Sequence, residues 1–395
     1  MLIAITGATS FWGSSLAMSF LMEGQNVLAL SPHDPEGVFT KRAILNAAKG
    51  FKYDKFELDW NLLQVVSFDP DGIEKLRGDS RLSDVDVVWH LAEDESHDAH
   101  DSVATFGVNL TLTGQLHDIF SRASPYCQRF YFGSVLGSWG RDHDALREVI
   151  PKTPSFRNMY HASKWAAETN LFIQASQYGI PVTILRTPAI LGHARTGWYG
   201  NQKTPLYDLI EAALYGTKQG KKAIRFGIPK DLKIPMVPIN DLIDMAMDLT
   251  FLARDHHKNE VVHYSSEKLI EVERMMMMVN KLLGTKIRPG QPKKAYEKVA
   301  NDILHRNQWF DHSQPRIEMR AAAEILGPRF QASQLDEQAV YKLAKVYVYD
   351  LIAQFEGKKK GFWHRLIQNL SLLGIQVKFS RPVLTLKELI GSKIL

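Results

Sequence analysis

Tyr160 and Lys164 stand four residues apart in the stretch NMYHASKWAAE (158–168), a spacing that puts both side chains on one face of a helix. An ammonium beside a phenol favours the phenolate. The pairing is therefore expected to pull the Tyr160 pKa down from near ~10 and make the phenol a usable proton donor or acceptor. Upstream, in GSVLGSWG (133–140), Ser134 is the candidate to hydrogen-bond the same reacting oxygen, while a shift of one residue puts Val135 in its place. Tyr and Lys at this spacing also occur on ordinary helix surfaces, so the meaning of the pair depends on what surrounds it.

The first of these surroundings is MLIAITGATSFWGSSLA (1–17). An apolar run, Leu2 to Ile5, reads as a buried strand, Thr6-Gly7 as a tight turn, and the residues near Gly13 as the start of a helix. A diphosphate needs N–H donors and positive potential, which a helix N-terminus supplies, so Thr6, Gly7, Ser10, Phe11, Trp12 and Gly13 form a candidate dinucleotide cradle. Gly7 permits the turn and Gly13 lets the helix approach the strand, whereas Ser10 stands where a third glycine is expected and narrows the approach. The second strand, NVLAL (26–30), ends in Ser31-Pro32-His33 and lacks the carboxylate that an NAD-preferring fold places on the ribose. Lys41 and Arg42 follow in an inserted basic segment. NADP(H) is thus favoured over NAD(H), with Arg42 as candidate partner of the 2′-phosphate beside Ser31; the other reading makes Lys41 and Arg42 solvated helix charges.

Further strands are expected at 63–68, 86–91, 129–133, 182–186 and 261–265, with an edge-like run at 234–239 broken by prolines. Asp69 follows the third strand, towards the adenine edge. Leu91 and Ala92 end the fourth, where a small residue lets the backbone approach the cofactor. Asn109 either faces the site from the next helix or bends that helix. Pro188 and Ile190 follow the sixth strand, facing the nicotinamide ring. The loop 193–207 is expected to face substrate, and Asn240-Asp241 to cap the next helix. The expected fold is α/β, a Rossmann-type doubly wound parallel sheet over residues 1–265, with substrate-domain segments from about 193–235. A smaller, mostly helical C-terminal substrate region spans 266–357.

The chain has 395 residues with 23% charged and 45% hydrophobic residues, ordinary for a globular protein. Its net charge of +5 is uneven: Lys358 to Leu395 holds eight Lys or Arg and one Glu, a net of +7, leaving −2 for residues 1–357. With one cysteine, no internal disulfide or cysteine-rich metal site is expected, and a reducing, cytoplasmic compartment suits the chain. No metal site and no nucleic-acid partner are expected. With the first strand read from residue 2, no cleaved leader is expected, and no apolar run reaches bilayer length. In the tail, Phe362, Leu366, Leu370 and Leu373 recur at helical spacing among basic residues. That pattern fits a peripheral membrane contact, an acidic carrier protein, or a terminal helix closing its own domain. The run Met275 to Met278 fits either an acyl pocket or a gap-filled core.

Four ordered motifs, TGATSFWG (6–13), VVWHLA (87–92), YHASKWAAE (160–168) and LRTPAILG (185–192), resemble the extended short-chain dehydrogenase/reductase superfamily, which includes the NAD-dependent epimerases and dehydratases. SKWAAE, GIPVTILR, RTGW and VPINDLI, with the basic segment after the second strand, are similar to its thioester reductase and fatty acyl reductase branch. NQWFD (307–311) is similar to fatty acyl reductases. The resemblance implies a Tyr-Lys-Ser/Thr site with NADPH as hydride donor. Tyr160 would protonate the substrate oxygen, Lys164 would hold the ribose and tune the phenol, and Ser134 would bond the same oxygen. It implies reduction of an acyl thioester, small or carrier-bound, or a related lipid-like carbonyl, and admits a homodimer. A nucleotide-sugar epimerase or dehydratase is the alternative within the same fold. With Val135 and Ser10 departing from the pattern, a non-catalytic dinucleotide-binding regulator is the alternative outside enzymes.

Overall fold

The computed structural model describes residues 1–372 except 54–57, 98, 141–144, 201, 219, 255 and 307–315, and leaves the side chains of 99 and 355–372 undescribed. Two compact units partition the chain. One comprises Met1–Gln202, Pro235–Leu269 and His312–Leu335, the other Lys203–Ile234, Ile270–Asp311 and Asp336–Leu395. The division does not follow chain order, because 203–234 leaves the first unit and 312–335 returns to it.

The first unit holds a sheet of seven parallel strands: β1 (Leu2–Thr6), β2 (Asn26–Pro32), β3 (Leu63–Phe68), β4 (Val87–His90), β5 (Arg129–Val135), β6 (Val182–Thr187) and β7 (Glu260–His263). Their order across the sheet is β7-β6-β5-β4-β1-β2-β3, so the winding reverses at β1 and β4, where open α/β sheets place ligands. Strand residues alternate between two apolar layers. Ile3, Ile5, Trp89, Tyr131 and Leu185 face α1 (Phe11–Met22), α2 (Val38–Phe51) and α5 (Ile239–Ala253). Ala4, Val88, Phe130, Phe132 and Ile184 face α3 (Thr113–Ala123) and α4 (Met159–Gln177). Both faces being covered, the strands read as continuous apolar runs, which is why they were legible. The run 234–239 divides instead, and its Met236–Pro238 pairs with Ala189–Leu191 outside the main sheet.

Asn240 and Asp241 do not cap α5. The helix starts at Ile239 after Pro238, without a side-chain cap. Asn240 Oδ1 accepts from the Ala194 amide (2.8 Å) and Asp241 Oδ2 from Ser333 (2.6 Å), tying two distant segments to its first turn. The loop after Leu191 packs inward: the Trp198 ring lies 4.9 Å from Phe11, and His193 sits edge-on to Phe51 at 4.5 Å.

In the second unit, Ala223–Phe226 pairs with Lys286–Pro289, and Arg225 holds Glu297 at 2.9 Å. Met275 and Met276 are buried within the helix Val272–Leu283 while Met277 is half exposed, the pattern of a core-facing helix. The NQWFD segment and the tail beyond residue 372 lie outside the described residues, as do the side chains of its first part. Among the described residues no helix is long and apolar enough to cross a membrane.

Candidate active site

The turn between β1 and α1 is as tight as its glycines require. Gly7 has φ +72°, and a Cβ there would lie 2.7 Å from the Leu91 carbonyl and the Ala92 amide; a Cβ on Gly13 would come within 2.1 Å of Gly7 O. Ser10, in the place of a third glycine, is the N-cap of α1, and its Oγ accepts from the Gly13 amide at 3.0 Å. The serine thus takes one free helix amide for itself. Among the described residues, the amides of Phe11 and Trp12 keep no acceptor, which leaves two aligned donors at the positive end of a buried helix. That cradle fits a diphosphate. Thr6 is buried below it. Its Oγ1 accepts from the Leu91 and Ala92 amides (3.2 and 3.3 Å) and meets His90 Nδ1 at 2.6 Å.

At the adenosine end the candidate residues divide. Arg42 is exposed on α2. Ser31 is buried, with its hydroxyl 2.8 Å from Thr40 Oγ1, so it is a packing residue rather than an open ribose contact. Asp69 caps the following turn by accepting from the Asp71 amide (3.1 Å), so one of its oxygens is already engaged. Asp34, which sequence reasoning passed over, is a carboxylate just after β2. It is turned inward, accepting from the Phe39 and Thr40 amides and the Thr40 hydroxyl at 2.8–3.2 Å. Those bonds hold its pKa below the usual carboxylate value against the opposing effect of burial. Pro188 and Ile190 are both partly buried after β6.

Tyr160 and Lys164 do share the inner face of α4, at 7% and 1% exposure. Lys164 Nζ donates to Gly133 O at the end of β5 (2.6 Å) and lies over the Phe132 ring (4.2 Å). Trp12 abuts Gly133, so the first turn of α1 and the Tyr-Lys pair are contiguous. Both donors converge on one atom: Glu93 Oε2 accepts from Tyr160 Oη at 2.8 Å and lies 3.0 Å from Lys164 Nζ. Glu93 immediately follows Ala92, and its place beyond a strand end was the available signal for a residue the sequence reading missed.

Three expectations change. The Tyr160 pKa is raised, not lowered: burial comes first, then the negative charges of Glu93 and Glu95 and the hydrogen bond to Glu93, all of which favour the neutral phenol. Ser134 is buried, and its single proton goes to Glu168 Oε1 at 2.6 Å, so it does not serve the oxygen beside Tyr160. Glu168 also accepts from Ser138 (2.7 Å) and from Arg186 through Nε (3.0 Å) and Nη2 (2.5 Å). Asn109 is buried in a π-helical turn, Gly107–Leu112, and makes no contact that leaves it free for cofactor. Its amide group accepts from Asp94 N (2.8 Å) and donates to Asp94 O and Ser163 Oγ (both 2.9 Å). Asn109 therefore clamps the loop that carries Glu93 against the helix that carries Lys164.

Residues 3–244 match the NAD dependent epimerase/dehydratase family. No curated protein matches the chain in sequence. Among solved structures, the terminal R domain from the myxalamid PKS-NRPS biosynthetic pathway is 17% identical with a TM-score of 0.68, covering 89% of this chain and 90% of that one. The UDP-glucuronic acid 4-epimerase from Bacillus cereus, in complex with UDP-glucuronic acid and NAD, is 18% identical with a TM-score of 0.63, covering 89% and 100%. The Bordetella bronchiseptica enzyme WbmG in complex with NAD is 17% identical with a TM-score of 0.61, covering 89% and 94%. These likenesses carry the fold, and the family match spans more than half of the sequence: the chain belongs to the NAD dependent epimerase/dehydratase family.

Proposed function

We propose that this chain is a reductase that lays NADPH over the Gly7–Gly13 turn and acts on the carbonyl of an acyl thioester or a related lipid-like substrate. The observation that carries the reading is the convergence of a phenol and an ammonium on one oxygen atom, 2.8 and 3.0 Å away, beyond the strand ends next to the cradle. When bound, the reduced nicotinamide supplies a hydride; the remaining work falls to side chains. The Phe11 and Trp12 amides bind the diphosphate. Tyr160, held neutral by its surroundings, gives its proton to the substrate oxygen, and Lys164 holds the cofactor ribose and stabilises charge developing on that oxygen. For a thioester, the resulting hemithioacetal expels the thiol and leaves an aldehyde. Asp34, the carboxylate nearest the end of β2, is buried with both oxygens engaged rather than open to a ribose, and Arg42 is exposed to meet a 2′-phosphate.

A second reading, a nucleotide-sugar epimerase or dehydratase using NAD, is supported by the family match and by the UDP-glucuronic acid and NAD complex of a structural neighbour. Titrating the chain with NADPH and NADH, then assaying a medium-chain acyl-CoA and UDP-glucuronic acid, separates the two. Tighter NADPH binding with NADPH consumption on acyl-CoA is expected, and Tyr160→Phe should lower that turnover by about 10²–10⁴. Conversion of the sugar nucleotide with bound NAD and no thioester reduction would replace the first reading by the second. Dinucleotide binding without turnover of either would favour a regulatory protein.

A further inference from the structure

Lys164 is an ammonium with 1% of its side chain exposed, and Tyr160 a buried phenol. Each must have its donors met, because an unmatched buried donor is costly. Both meet the same carboxylate oxygen of Glu93, with Lys164 also donating to Gly133 O. The loop bearing Glu93 is set by design of the neighbouring backbone: Asn109 grips Asp94 from both its N–H and its carbonyl, one residue away. Glu93 itself differs from the groups it holds, since 26% of its side chain meets solvent. It can swing outward without opening the core, whereas Tyr160 and Lys164 cannot.

We propose that Glu93 is a built-in occupant of the Tyr160–Lys164 site, a carboxylate that a ligand's hydroxyl or carbonyl oxygen must displace before those two donors can act. This rests on the reading that assigns Tyr160 and Lys164 to dinucleotide and substrate. An oxygen arriving there competes with an ion pair, so Glu93 sets how weakly the site holds its ligands and disfavours those that bring negative charge. Tyr160 then stays protonated and silent until the site fills. The groups that face it are Glu93, Glu95, Lys164, His97 and His161.

The test uses the full chain, its Glu93→Gln and Glu93→Ala variants, and NADPH and NADH as probes, followed by quenching of tryptophan emission and by calorimetry. Glu93→Ala is expected to bind the preferred dinucleotide about ten-fold more tightly, with Glu93→Gln in between. Ultraviolet titration of the phenol, with Tyr160→Phe subtracted, should move the Tyr160 transition to lower pH in both variants. Measurable binding that is equal or weaker in Glu93→Ala overturns the occupant while leaving the dinucleotide reading intact. Binding by neither wild type nor variant overturns the dinucleotide reading and the occupant with it. A phenol transition that does not move shows that the contact has no hold on Tyr160. A merely structural Glu93 would lower the melting temperature of Glu93→Ala without tightening binding, and Glu93→Gln, equal in volume, keeps the test valid if the alanine variant is poorly folded.

Discussion

Two carboxylates flank Lys164, one on α4 itself and one from a loop, and they behave oppositely. Glu168 lies one turn beyond Lys164, has no exposed side-chain surface, and collects Ser134, Ser138 and two nitrogens of Arg186, itself fully buried. Arg186 also donates to the carbonyls of Arg147 and Val149 and touches His263 Nε2 at 3.3 Å. Every donor there belongs to β5, β6 or an adjoining loop, so the cluster welds α4 to the sheet. Glu93 reaches α4 from a loop, keeps contact with water, and binds the two groups with the chemistry to do something else. Similar ion pairs thus serve as brace and as latch. The difference lies in whether water can replace the carboxylate.

The comparison breaks most visibly by removing each carboxylate. Glu168→Ala leaves a buried guanidinium without its counter-charge, a loss of about 3–5 kcal/mol, a large share of a typical ~5–15 kcal/mol stability. Urea unfolding should show that loss, while Glu93→Ala, whose partly exposed place water can take beside a Lys164 that keeps Gly133 O, should cost less, about 1–3 kcal/mol. Equal costs would dissolve the distinction.

Acid sharpens it next, because each region holds neutral imidazoles. At the Tyr-Lys side, His90 Nδ1 faces Thr6 Oγ1, and Nε2 meets Thr113 Oγ1 (2.7 Å), whose own proton goes to Asn109 O; Nε2 therefore carries the ring proton. Burial, reinforced by Lys164, pushes His90 down to about 3; burial does the same to His161, with His97 and Arg157 adding to it. At the brace, His263 falls to about 3 through burial and Arg186. The folded pKa lies below the unfolded 6.5, so the unfolded chain takes up protons first and stability falls as pH drops from 6.5 towards 3. Each histidine contributes a slope of about 1.4 kcal/mol per pH unit. Urea midpoints at pH 7.5, 6 and 5 should decline steeply over the last interval; a flat profile would mean that these rings are already charged when folded.

How much of this could be read in advance follows from the period of each signal. The strands and the glycine turn were legible because burial on both faces leaves uninterrupted apolar runs, and because Gly7 and Gly13 meet backbone at distances no Cβ tolerates. Tyr160 and Lys164 were legible because i,i+4 is a local rule. Glu168 lies one turn further on the same face, but its role was not legible, because its partners Ser134 and Arg186 lie on separate strands that only the sheet brings together. Glu93 and Asn109 were illegible as a unit, since their link runs through the backbone of Asp94. The direction of the Tyr160 shift failed because its largest cause, burial, and the carboxylate 67 residues away both come from the fold, whereas a lysine four residues away was visible in the sequence.

The smallest expected effect addresses the serine. Along β5 successive side chains point to opposite faces, and Ser134 points to Glu168, so Val135 is the neighbour that faces the other way, paired with Thr187 at the strand end. Ser134→Ala removes one of several hydrogen bonds to a carboxylate that keeps Arg186 and Ser138, a loss of about 1–2 kcal/mol. Dinucleotide affinity and any turnover should stay within about two-fold of wild type. Val135→Ser places a hydroxyl on the face that Ser134 lacks, and in the reductase reading it should raise turnover rather than stability. Collapse of turnover in Ser134→Ala with an unchanged urea midpoint would reverse the assignment, because only a hydroxyl that leaves Glu168 for the reacting oxygen loses activity without losing stability.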